Sequence, residues 1–142
     1  MNEIPVESVP SLLLRTVPES GKFIAEKYGM PAGQAVLAED SWVDLYEVLT
    51  ETLMEPLVLP QLRSSDPDGE LLRRCFDFLE QVVDHSSEHV RGAVYFEVLE
   101  PLLNPGTLVE DSFPYMKEGM RKGTLEMLDS YDIEVPGVTD RR

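Results

Sequence analysis

His85 and His89 stand four residues apart, with Asp84 and Glu88 beside them. On a continuous helix that spacing puts both imidazoles on one face, where a carboxylate could complete a zinc site. Ser86 and Ser87 read better as the cap of a new helix, which breaks that geometry, and no further ligand stands at a recognisable metal spacing. Cys75, the one cysteine, would be a nucleophile if Arg73 and Arg74 lowered its pKa. It falls in the middle of an apolar arc from which both arginines point away, so a buried structural thiol is expected. Glu97 and Glu100 share a helix face and could act as acid and base. Paired carboxylates are common on solvated faces, and no Gly-rich phosphate loop or nucleophile elbow accompanies them. The expectation is a non-enzymatic protein with no catalytic residue, metal or cofactor.

These residues ride on helices. From 68 to 84, winding at about 100° per residue gathers Leu71, Leu72, Cys75, Phe76, Phe78, Leu79, Val82 and Val83 on one arc. Arg73, Arg74, Asp77, Glu80, Gln81 and Asp84 fall opposite, and Asp66 with Pro67 reads as the start. A second helix over 88–103, capped by Ser87 and stopped by Asn104-Pro105-Gly106, completes an antiparallel hairpin. It is apolar around most of its circumference, through Val90, Val94, Tyr95, Phe96, Val98, Leu99, Leu102 and Leu103, so it belongs near the centre. A third helix, 41–54, has Ser41 and Asp44 at capping-box spacing and Trp42, Leu45, Tyr46, Leu49 and Leu53 along one face. Pro56 and Pro60 should bend or break the chain just beyond it; strands stay open for 55–62.

Thr107 and Glu110 introduce a short turn before a last helix over 114–130, where Gly119 and Gly123 suggest close approach of another backbone. On that helix Lys122 can pair with Glu118 and Glu126. Short helices are expected at 11–15 and 22–28, and residues 133–142 read as a flexible tail. The fold class is all-α: a single domain over 1–142, an irregular helical bundle with stacked antiparallel pairs as one arrangement.

The chain has 142 residues, 42% of them hydrophobic, enough for one core. Its formal net charge is -15, from 27 acidic against 12 basic residues, so phosphate backbones and anionic membrane surfaces should repel it. No basic, apolar leader opens the sequence and no apolar run approaches the roughly 20 residues of a membrane span. One cysteine cannot form an internal disulfide, and a reducing cytoplasm is the expected compartment.

The acidity is regional. Asp44, Glu47, Glu51 and Glu55 succeed one another at three- and four-residue intervals, and no Lys or Arg occurs between Lys27 and Arg63. Each like-charged neighbour costs a few tenths of a kcal/mol (~0.3) in an isolated helix, so partners must come from elsewhere. Glu97 and Glu100 lie in a second zone without basic residues, 92–116. High charge aids solubility; it also makes a docking face for a basic protein.

At Phe76-Asp77-Phe78-Leu79-Glu80 and Val90-Arg91-Gly92-Ala93-Val94-Tyr95-Phe96-Glu97-Val98-Leu99, the hairpin resembles one found in a family of small bacterial all-helical proteins. Members of that family occur among the immunity proteins of polymorphic toxin systems. The similarity extends through Met116-Lys117-Glu118-Gly119-Met120-Arg121-Lys122 to Leu125 and Leu128, roughly the C-terminal half. The resemblance implies a cytoplasmic antidote that binds a cognate toxin domain, and the acidic balance suits a basic nuclease. Asp44, Glu47, Glu51 and Glu55 are then the expected charged face, with Glu97 and Glu100 second. The alternatives are a helical adaptor or scaffold and a small metal-dependent enzyme.

Overall fold

The computed structural model describes residues 9–35, 45–85, 88–103, 107–135 and 138. Among them every regular element is helical. Helices α1 (Val9–Thr16), α2 (Gly21–Tyr28) and α3 (Ala32–Ala35) come first, with a 3₁₀ turn, Pro18–Ser20, between α1 and α2. Gly29 ends α2 in the left-handed region, at φ 66°, and its N–H returns to the Ala25 carbonyl.

The next run departs from expectation. Helix α4 (Leu45–Leu49) does not stop at Pro56 but passes through a π-helical stretch, Thr50–Val58, into α5 (Leu59–Arg63). Proline lacks an N–H and its ring crowds the carbonyl four residues back, at a cost of about 3 kcal/mol in a regular helix. Wider i→i+5 turns relieve that conflict without ending the helix. Apolar side chains offset the cost of continuing: Val48, Leu49, Leu53, Met54, Leu57 and Val58 are all buried. Pro60, the second residue of α5, follows directly on the wide turns and so also lies within the continuous helical run. The expected positions Ser41, Trp42 and Asp44, and the side chains of Leu45 and Tyr46, lie outside the described residues.

Helix α6 (Gly69–His85) buries the expected arc, with Leu72, Cys75, Phe76, Phe78, Leu79 and Val82 fully enclosed. Its cap is Asp68 rather than Asp66: the Leu71 N–H donates to Asp68 Oδ1 at 3.1 Å, while the Asp68 N–H donates to Gln61 Oε1 at 2.7 Å. Asp66 lies in a bend, where its own N–H donates to Ser64 Oγ. Helix α7 (Glu88–Val94) continues as a second π stretch, Tyr95–Leu99, and a 3₁₀ turn, Glu100–Leu103, so the helical run covers the expected 88–103. Pro101 comes after the wide turns, whereas Pro56 lies within them. The capping serines at 86 and 87 and the stop at 104–106 lie outside the described residues.

Helix α8 (Thr107–Ser112) and a 3₁₀ turn, Phe113–Tyr115, precede α9 (Glu118–Ser130), so the last helix begins four residues later than expected. One apolar cluster joins all these elements, from Val9 to Val138. Helix α6 contacts α1, α7 and α9; the α7 run also meets α4 and, at its far end, α8. Part of the stretch read as a tail is core instead. Asp132 adopts φ 56° after α9, the Ile133 N–H returns to the Leu128 carbonyl, and Val135 and Val138 are buried.

Candidate partner-binding site

The two π stretches contact each other, and between them they bring together acidic residues that are far apart in sequence. Glu47, on α4, and Glu51 and Glu55, on the first π stretch, repeat every four residues along one side. Glu97, on the second, joins them: its carboxylate accepts the Thr50 hydroxyl hydrogen at 2.5 Å. Glu47, Thr50, Glu51, Glu55 and Glu97 line one open depression.

Helix α2 supplies the local cation that the acidic stripe lacks in its own segment. Lys27 Nζ lies 3.0 Å from Glu47 Oε1 and 2.7 Å from Glu51 Oε2, with its side chain 16% exposed. Burial alone would lower the Lys27 pKa, but hydrogen bonds to Glu51 and Glu47 outweigh it and hold the ammonium above the ordinary lysine range. Four carboxylates therefore line the depression, two of them bonded to the Lys27 ammonium, and its described lining holds no other charged side chain.

Asp44, the first residue of the expected stripe, lies outside the described residues. Glu100 does not line the depression. It accepts the Tyr131 hydroxyl hydrogen, which pushes the Tyr131 phenol above its usual range. Phe96, expected to pack inward, is 51% exposed and meets Tyr95 edge-on, with ring centroids 5.3 Å apart. Phe96 stands outside the buried strip formed by Val94, Val98, Leu99 and Leu102.

Periodicity places Glu80 on the solvated side of α6, yet it is only 8% exposed. Its carboxylate accepts the N–H of Gly119 at 2.7 Å and of Met120 at 2.9 Å, capping α9 from another helix. Lys117 reaches Asp77 Oδ1 at 3.2 Å and reinforces the same junction. Gly119 faces that carboxylate directly. A Cβ would sit 2.7 Å from Glu80 Oε2 and Asp84 Oδ1, so side-chain carboxylates, not a neighbouring backbone, make the close approach. A glycine in the first turn of a helix, at 119, is the one sequence signal for this junction. The pairs expected for Lys122 do not form: no ion pair joins it to Glu118 or Glu126 among the described residues.

Burial pushes the Cys75 thiol up to about 12, far from a thiolate nucleophile. Arg74, one of its proposed activators, is held instead by Glu19, through two bonds of 2.7 and 2.6 Å, and by Glu70 at 2.8 Å. The side chains of His85 and His89 lie outside the described residues. Among the described residues no three His, Cys, Asp or Glu side chains converge as metal ligands, and no helix is long and apolar enough to cross a membrane.

Fold and site together define an all-helical domain with an acidic depression on its surface. Compared with protein-family models, curated proteins and solved structures, the chain matches none.

Proposed function

We propose that this chain is an immunity-like antidote: a non-enzymatic, cytoplasmic protein that binds a basic toxin domain, a nuclease in the simplest case, and holds it inactive. One observation above others supports this role. Glu47, Glu51 and Glu55 from one segment and Glu97 from another converge on a single depression, with Lys27 bonded to two of them. Complementary charge of this kind steers encounter and selects partners. Affinity also needs an apolar or aromatic anchor at the centre of the interface, since rim charges chiefly set on-rate and salt dependence. The hairpin resemblance supports the same role.

Affinity capture of the tagged protein from its native cells, at low and high salt, tests the proposal. The expected result is one basic partner in stoichiometric amount, whose nucleic-acid-cutting activity falls as the antidote is titrated in. Several unrelated partners would favour an adaptor. A single partner retained unchanged by Glu51→Lys with Glu55→Lys would rule out the acidic face as its docking surface.

A further inference from the structure

Among the described residues the large apolar side chains left exposed are Met30, Phe96 and Tyr131, and the last two share one surface. Helix α9 packs against the second π stretch, and Tyr95 links the two elements there. Its ring meets that of Phe96 with centroids 5.3 Å apart and planes at 77°, and its hydroxyl lies within hydrogen-bonding reach of Tyr131. Single exposed aromatics are ordinary on a protein surface, whereas a contiguous group points to an interaction surface.

The group is held in place. Tyr131 donates its hydroxyl hydrogen to Glu100 Oε2, and its backbone N–H returns to the Met127 carbonyl, so an exposed ring is fixed at both ends. A ring ordered in advance loses little freedom when a partner arrives. Glu100 follows Phe96 by four residues on the same helical run, so its carboxylate stands beside the Phe96 ring as well. The other carboxylate oxygen, Oε1, has no hydrogen bond or ion pair among the described residues.

The charge around these rings selects the partner group. No Lys or Arg occurs between Arg91 and Lys117, or between Lys122 and Arg141, so every charged residue of the two segments that build the patch is acidic. Helix α9 carries no basic residue in its last turn to offset the negative end of its dipole. Arg91, the one Lys or Arg on the α7 run, has a partner of its own. An edge-on ring contact leaves ring faces uncovered, and those faces attract cations. An ammonium would answer the charge alone. A guanidinium answers charge and shape together, because its plane stacks on an aromatic face while its N–H groups bond a carboxylate at the edge. We infer that this patch is an interaction surface for an arginine-bearing segment of a partner protein, with the guanidinium stacked on the rings of Phe96 and Tyr131 and bonded to Glu100 Oε1. The inference concerns what the patch recognises and stands whether or not that partner is a toxin. Neither Phe96, Glu100 nor Tyr131 lines the acidic depression.

Titration of the full chain with N-acetyl-L-arginine methylamide, followed by NMR of the Phe96 and Tyr131 rings, tests the inference. Three controls separate the features of the probe. The lysine counterpart keeps the charge without the plane, the citrulline counterpart keeps the plane without the charge, and free L-arginine adds a carboxylate that an acidic surface repels. The capped arginine should shift both rings saturably, with each control about threefold weaker or more. Glu100→Gln, which keeps an acceptor for Tyr131, and Phe96→Leu, which keeps apolar bulk without a ring, should each weaken the capped arginine by about threefold with the thermal midpoint retained. Glu51→Lys with Glu55→Lys should leave both ring shifts in place. No saturable shift, any control as strong as capped arginine, indifference to Glu100→Gln and Phe96→Leu, or loss of the shifts in the Glu51→Lys, Glu55→Lys protein would overturn the assignment.

Discussion

Replacing Glu80 removes the cap that α6 holds over α9. Its carboxylate satisfies two first-turn amides of α9, Gly119 and Met120, which that helix cannot satisfy itself. Lys117, at the N-cap position, makes no side-chain capping bond. A hydrogen bond to a charged acceptor contributes about 1.5–3 kcal/mol net. Both bonds share one desolvated carboxylate, so the low end applies to each, and Glu80→Ala should cost about 3 kcal/mol. Glu80→Gln keeps the shape and one carbonyl acceptor but turns an NH₂ toward the other amide, for a loss of about 1.5 kcal/mol. At roughly 3 °C per kcal/mol for a chain of this size, Tm should fall by about 9 °C and about 5 °C. Gly119→Ala should also destabilise, because its Cβ displaces the same carboxylate, reversing the gain of about 1 kcal/mol that alanine normally brings to a helix. Urea unfolding monitored by circular dichroism at the helix band measures all three variants. A loss below about 0.5 kcal/mol for Glu80→Ala, the range of ordinary surface changes, would refute the capping argument.

Three further outcomes are expected. With its thiol buried and pushed up to about 12, Cys75 should stay unmodified by a thiol reagent at pH 8 until the chain unfolds, and fast labelling of native protein would contradict its placement. Arg74→Ala should cost about 1 kcal/mol, after discounting for exposure at both ends of the Glu19 pair. Hydrogen bonding to Arg74 holds the Glu19 carboxyl below its ordinary 4.5, so this contribution is fully present above that pH and is lost as pH falls through the folded value. Chemical denaturation at pH 7 and pH 3 should show the gap between wild type and Arg74→Ala narrowing in acid. Gly123→Ala should stabilise by about 0.5–1 kcal/mol, opposite in sign to Gly119→Ala, and thermal melts of the two variants separate them.

The helix classes and most buried faces were legible because one physical signal, apolar periodicity, sets both. Leu71 through Val83 on α6 needed only the helical repeat to be assigned to the core. Pro56 misled because a proline rule describes a regular helix, whereas enough apolar surface on both sides can carry a helix through on wider turns. Phe96 misled for another reason: it is apolar, yet at 100° per residue it falls beside Glu100 at the edge of the buried strip, and its position, not its type, decides its exposure. In the site, the four-residue repeat of Glu47, Glu51 and Glu55 could be read directly. Their meeting with Glu97 and Lys27 could not, since it depends on how α2, α4 and the α7 run pack together. Glu80 was hidden for the same reason: a carboxylate on the polar side of its own helix becomes buried only when another helix end arrives above it.

Association kinetics of the captured basic partner, compared between wild type and Glu51→Lys with Glu55→Lys over a range of salt, test the central claim most directly. A docking role for the acidic depression predicts an on-rate at least about tenfold slower for the charge-reversed protein at low salt, with the difference closing as salt screens the face. Equal on-rates at low salt would contradict it.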